Sequence, residues 1–176
     1  AYEILGGDWS SDVCSSDYRL REKYFELRGT SRFRKMTSKD VPKVTSILKK
    51  YFDEFKLAPV IDKEWVRYWI LPVNAYVNDD TDEFISFYDI PYKRVDDSDE
   101  VRQAYAFYMV GDVYNDAFLI AKNLGYDVFN TLDAGQKRSH LEKLKFIEGS
   151  GHVYYYLFNW LPSSTVEIED IQLKLP

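Results

Sequence analysis

The stretch at residues 141–160, LEKLKFIEGSGHVYYYLFNW, constrains the fold of this chain more than any other. A basic run with leucines at helical spacing stops at Gly149-Ser150-Gly151, and Tyr154, Tyr155, Tyr156, Phe158 and Trp160 follow at once. Glycine on either side of Ser150 lets the backbone take positive φ and lets another chain come close. The helical pattern has to end there, and the aromatic run has to leave as a strand. Two readings fit this junction. One is a tight turn into a core strand, which spacing alone favours. The other is a gap in the backbone beside an aromatic wall, a shape suited to gripping an extended peptide.

The rest of the chain punctuates itself in the same way. Ser38 can cap a helix, Pro42 is tolerated in its first turn, and Val41, Val44, Leu48, Tyr51 and Phe55 step along one face, which predicts a helix to residue 55. Asp62 can cap a second helix to residue 69, with Trp65 and Trp69 on one face. Strands are predicted at 74–77, 83–90 and 104–110, with a hairpin loop at 78–82 and a charged, solvated loop at 92–100. Residues 112–123 have helical spacing, and Gly125 is placed to stop them. A short buried strand follows at 127–130, a turn at 134–139, a helix at 139–145 and a strand at 152–160. The last strand, 166–175, slips its alternation near Glu169-Asp170. Strands alternating with helices in this order predict a mixed α/β sheet with flanking helices.

The first seventeen residues read differently. The run from Gly6 to Asp17, GGDWSSDVCSSD, has neither helical nor strand periodicity and resembles a translated sequencing adapter. We therefore expect 1–17 to be a non-native or disordered segment, 18–32 a linker, and 33–176 the folded domain.

Composition narrows the function. At 176 residues and 45% hydrophobic, the chain can bury one good core. Fifteen tyrosines supply apolar area with polar tips, which suits a lined groove as well as a core. A net charge of −6 argues against nucleic acid and fits a cationic partner such as an N-terminal ammonium. The lone Cys14 excludes an internal disulfide, and His140 and His152 are too few for a metal cluster, so no metal site is expected. No apolar run reaches the length of a membrane span, and the start lacks a basic-then-apolar signal pattern, so a cytoplasmic protein without a transmembrane segment is expected. There is no Gly-x-Ser-x-Gly elbow and no phosphate-cradling glycine loop. Acidic pairs such as Asp79-Asp80 and Asp96-Asp97 read as exposed loop charge.

From about Phe33 to the last residue, the chain resembles the C-terminal half of eukaryotic glycylpeptide N-tetradecanoyltransferase. The resemblance is carried by FISFY at 84–88, DVFNTLD at 127–133 and the stretch at 141–160. The family signature Lys-Phe-Gly-x-Gly-Asp-Gly stands here as Lys145-Phe146-Ile147-Glu148-Gly149-Ser150-Gly151, with Ile147 replacing a glycine and Ser150 an aspartate. The resemblance implies a Gcn5-related acetyltransferase-like fold, as one half of a two-half enzyme with a pseudo-twofold. The missing N-terminal half would hold most of the myristoyl-CoA, and this half would bind the N-terminal glycine peptides of client proteins and no cofactor of its own.

The same resemblance carries over positions. Tyr105 matches a groove tyrosine, and Asn130 matches an asparagine that hydrogen-bonds the peptide. Gly149, Ser150 and Gly151 match the turn beside the peptide, and Val153 matches an apolar groove residue. Tyr92 stands where a small polar residue is common, which implies a narrower groove. Residues 171–176, ending in Leu175 and Pro176, fall on the family's terminal strand, whose α-carboxylate is the base for the glycine ammonium. An α-carboxyl titrates near ~3.5 and an α-amine near ~7.8, so this transfer is uphill by roughly 6 kcal/mol in water. Burial disfavours both charges and narrows the gap, which requires the last residue to be held and dry. Gln172 replaces a usual glycine, and a terminal proline is unusual. With Ile147 and Ser150, these departures leave open a non-catalytic peptide-binding domain or a degenerate relative.

Overall fold

The computed structural model describes residues 2–4, 30–93, 100–148, 153, 155, 159 and 164–174, with the backbone alone described at 2–4, 91–93, 100 and 148. Its strands are β1 (Tyr2–Ile4), β2 (Arg34–Lys35), β3 (Asn74–Val77), β4 (Phe84–Lys93), β5 (Glu100–Val110), β6 (Val128–Thr131) and β7 (Ile147–Glu148). They form one sheet in the order β2-β3-β4-β5-β6-β1-β7. Only β5 and β6 run parallel among these pairs; the other neighbours are antiparallel.

Helices α1 (Val41–Phe52) and α2 (Lys63–Trp65) cover one face, and α3 (Tyr114–Asn123) and α4 (Arg138–Lys143) cover the other. In α1 the three- and four-residue steps of Val41, Val44, Leu48 and Phe52 make one buried stripe. Its entry is pinned by Asp40, whose carboxylate accepts from Thr37 N and from Arg34, and the Arg34 guanidinium holds that carboxyl well below the usual range. Helix α2 runs on into a π turn (Val66–Ile70), closed by Leu71 N donating to Val66 O at 3.0 Å. That turn buries Val66 and Ile70 and leaves Trp69 on the surface. No helix among the described residues is long and apolar enough to cross a membrane.

Helix α3 ends as expected at Gly125, with φ +77°. Gly125 N donates to Lys122 O and Tyr126 N to Ala121 O, so the last carbonyls are satisfied as the chain reverses. Arg102 then fastens the returning strand. Its guanidinium donates to Leu124 O and lies 4.4 Å over the Tyr126 ring, while its main chain exchanges hydrogen bonds with Asp127. This latch sets the parallel register Gln103↔Val128, Ala104↔Phe129 and Tyr105↔Asn130.

Two expectations change. The loop expected at 92–100 is strand at both of its ends: β4 continues to Lys93, which pairs with Glu100, because main-chain pairing does not depend on what the side chains carry, and residues 94–99 lie outside the described residues. The last strand is not a ladder among the described residues. A 3-10 turn (Ile168–Asp170) occupies the expected slip, and beyond it a single parallel bridge joins Leu57 to Ile171. Asp170 makes that turn, since its carbonyl accepts from Lys56 N and Leu57 N and its carboxylate pairs with Lys56 Nζ at 2.8 Å. Within the segment expected to be non-native or disordered, Tyr2–Ile4 forms a strand between β6 and β7. The strand expected at 152–160 lies mostly outside the described residues.

One irregularity lies at the centre of the sheet. Between the pairs Ile85↔Met109 and Phe87↔Ala106, Ser86 faces two residues, Phe107 and Tyr108. This bulge puts both aromatics on the α1 side, with ring centroids 4.3 Å apart. The buried Ser86 hydroxyl closes it, accepting from Tyr108 N at 3.0 Å and donating to Tyr108 O at 3.1 Å. Ser86→Ala strands two buried main-chain groups and is expected to cost about 1–3 kcal/mol, read as a lower urea midpoint at unchanged slope. A midpoint within error of the parent would show that the bulge closes without the hydroxyl.

Candidate functional site

Strand alternation decides which face carries polar chemistry. Ala104, Ala106 and Phe129 enter the core beneath α3, so Gln103, Tyr105 and Asn130 stand on the opposite face. The parallel register puts Tyr105 directly beside Asn130, and the antiparallel one puts Tyr88 beside Tyr105. The Tyr88 and Tyr105 rings stack at 5.8 Å and 18°, and Phe107 meets Tyr88 edge-on at 5.8 Å. Burial, and then the neighbouring Tyr105, pushes the Tyr88 hydroxyl above its ordinary pKa.

Asn130 is 1% exposed. Its Nδ2 donates to Gln103 Oε1 at 3.2 Å, and the Tyr105 hydroxyl donates to the same oxygen at 3.3 Å. Asn130 Oδ1 is buried and has no hydrogen-bond partner among the described residues. A buried carbonyl oxygen without a donor costs about 1–3 kcal/mol, so this atom is set for an N–H or O–H to arrive.

The sequence also singled out the segment leading toward Pro176, which is described as far as Lys174. Gln172 N donates to Leu57 O at 2.7 Å, and Gln172 Nε2 donates to the Tyr51 hydroxyl at 2.6 Å. The Tyr155 hydroxyl donates to Leu173 O at 2.7 Å, and the Tyr108 hydroxyl reaches Lys174 O at 3.5 Å. The bulge at Ser86 is what turns Tyr108 toward this segment. Gly135, with φ +70°, lies against it so closely that a Cβ there would run into the Gln172 side chain. Gln172 and Lys174 are both buried. Burial lowers the Lys174 ammonium to about 8, and the Asp133 carboxylate opposes that shift only in part.

The structure thus brings Tyr105 and Asn130 together and leaves Val153 55% exposed. Tyr92 lies on β4 opposite Val101, with its side chain outside the described residues. Gly149, Ser150, Gly151, Leu175 and Pro176 also lie outside them. Sequence reasoning missed Gln103, Tyr88, Tyr108 and Lys174 as members of this region. For Gln103 a signal existed, since two residues apart on a strand means the same face as Tyr105. A separate cleft of about 470 Å³ between the end of α1 and Ile61 contains none of the expected site residues.

The comparisons with known proteins bear on the same region. The family model described as "Myristoyl-CoA:protein N-myristoyltransferase, C-terminal domain" matches residues 13–173. A glycylpeptide N-tetradecanoyltransferase 2 of Danio rerio is 38% identical over 157 residues, covering 78% of this chain and 32% of the relative. Glycylpeptide N-tetradecanoyltransferase 1 of Arabidopsis thaliana is 34% identical over 163 residues, covering 83% of this chain and 38% of the relative. The chain spans about a third of the length of these curated relatives. In fold, the N-myristoyltransferase of Saccharomyces cerevisiae crystallised with bound myristoyl-CoA matches with TM-score 0.66 at 22% identity, covering 84% of this chain and 44% of that one. A protein of Clostridium acetobutylicum described as a predicted acetyltransferase and solved with acetyl-CoA matches with TM-score 0.53 at 18% identity, over 70% of this chain and 94% of that one. The architecture is accordingly an α/β sheet of the Gcn5-related acetyltransferase-like kind.

Lys174 gives this region a measurable pH signature. Its folded pKa, about 8, lies below the ordinary 10.5. The cost of burying the charge is therefore fully present below pH 8 and is relieved as pH rises toward 10.5. Lys174→Met is expected to stabilise the fold on the order of 3 kcal/mol at pH 7 and by much less near pH 10, read by urea unfolding at both values. An equal gain at both pH values would show that the ammonium is not desolvated.

Proposed function

The chain belongs to the myristoyl-CoA:protein N-myristoyltransferase family as a C-terminal domain, and on that premise we propose that it is the peptide-binding part of a cytoplasmic enzyme that moves myristoyl from myristoyl-CoA to the N-terminal glycine amine of client proteins. The folded domain in this reading is 33–176, and an upstream part supplies most of the myristoyl-CoA site. The observation that carries the reading is the pairing of Tyr105 with Asn130, whose buried carbonyl oxygen has no donor among the described residues. An extended peptide lying on this face brings main-chain N–H groups past that oxygen.

The chemistry proposed is acyl transfer by a main-chain acid. The α-carboxylate on Pro176 takes a proton from the glycine ammonium. The freed amine attacks the thioester carbonyl, a C–N bond forms as the C–S bond breaks, and CoA leaves as the thiol. Support comes from the approach to that residue: hydroxyls of Tyr155 and Tyr108 hold the carbonyls of Leu173 and Lys174, and Gln172 is tied to Leu57 and Tyr51. A base on a chain so fastened can be positioned; a loose tail could not.

The test uses the intact polypeptide that carries this chain, myristoyl-CoA and a peptide beginning with glycine. Transfer is expected, and extending the chain beyond Pro176 by two residues is expected to lower kcat by about 100-fold or more while peptide affinity changes little. Peptide binding without transfer would establish the non-catalytic alternative, and unchanged kcat in the extended protein would remove Pro176 from the mechanism. Serine at position 150 also predicts weak preference for basic peptides. Ser150→Asp is expected to improve binding of a lysine-containing peptide up to about fivefold relative to its norleucine analogue, read by calorimetry.

A further inference from the structure

Gln103 lies two residues before Tyr105 on β5 and shares its face with Tyr105 and Asn130. A carboxamide has one accepting end and one donating end. Gln103 turns its accepting end to the pair, so Oε1 receives both the Tyr105 hydroxyl and Asn130 Nδ2. Asn130 thereby commits its donating end to Gln103, and its carbonyl end is the one left over, buried and without a donor among the described residues. The reverse arrangement, with Gln103 Nε2 facing the pair, would leave the Asn130 amino group over instead. In the observed orientation one Nδ2 hydrogen goes to Gln103 and the whole carbonyl end is left for a ligand; in the reverse the whole amino end would be left, so the orientation of Gln103 decides whether Asn130 presents an acceptor or donors.

We propose that Gln103 is a positioning residue that fixes the polarity of the Asn130 amide, so that the site reads a main-chain N–H of an extended peptide and rejects an acceptor at that point. The inference rests on the assignment of Asn130 to peptide binding and adds which end of the amide does the reading and what holds it there. Gln103 itself touches Asn130 and Tyr105, and it acts through them.

The experiment measures binding to the intact polypeptide by calorimetry, with a short peptide beginning with glycine and a set of analogues in which one main-chain N–H at a time is replaced by an ester oxygen. One of these analogues is expected to bind wild type about fivefold to tenfold more weakly than the all-amide peptide. Gln103→Met, close in shape but without the acceptor, is expected to weaken the all-amide peptide about threefold to tenfold and to shrink the penalty of that one ester. Gln103→Glu offers only acceptors and is expected to keep both the affinity and the ester penalty, a rescue that a purely structural role does not predict. Thermal unfolding of each variant separates loss of fold from loss of binding, and the Glu variant keeps the test open where the Met variant is unstable. Wild-type affinity and ester penalty in Gln103→Met, or a Glu variant as weak as the Met variant, would overturn the role of Gln103 and leave Asn130 as a peptide contact. Absence of binding by wild type would overturn the peptide assignment of Asn130 and this inference with it.

Discussion

The arrangement depends on one serine. Ser86 occupies the place of a single residue opposite two, and its hydroxyl satisfies both main-chain groups that the extra residue would otherwise orphan. The consequence is a change of phase along β5. Before the bulge, Ala104 and Ala106 face the α3 layer; after it, Met109 does. Small side chains therefore lie on the α3 side, and two large rings sit side by side under α1. A regular strand would send Tyr108 to the far side of the sheet, where its hydroxyl would have no route to Lys174 O.

The same strand serves both parts of the site. Its first half carries Gln103 and Tyr105 beside Asn130, and its second half carries Tyr108 toward Lys174. Relative position is thus set by strand geometry and by the parallel register that Arg102 fixes, and loops play little part in it. Hydrophobic burial and satisfied main-chain groups dominate the stability of this frame. Ion pairs such as Arg34 with Asp79 or Lys56 with Asp170 are at least partly exposed and contribute little individually, yet each one orients a turn.

Much of the frame is written locally. Apolar steps of three and four residues mark α1 and α3, Gly125 marks the stop of α3, and Asp62 caps α2 through Trp65 N. What was not legible needs a partner to exist. A π turn hides inside helical spacing, since one inserted residue leaves the pattern nearly intact. The bulge at Phe107 and Tyr108 is invisible until β4 lies alongside, and Tyr92, Lys93 and Glu100 read as loop until β4 and β5 pair. At the site, Tyr105 and Asn130 could be named from family resemblance, but the register that joins them lies in a pairing between segments 25 residues apart. Gln103 carried no signal beyond its spacing from Tyr105, because a half-buried glutamine on a strand reads as surface until its acceptor end is seen in use.

Gly135 and Gln172 constrain each other through their contact. The backbone at 135 has positive φ, and its missing side chain is the space into which the glutamine fits. Neither position is then free to drift alone. In descendants of this sequence, a bulkier residue at 135 should follow only after position 172 has shrunk, and replacement of Gln172 by a small residue should remove that clash at Gly135, so the two positions ought to change together.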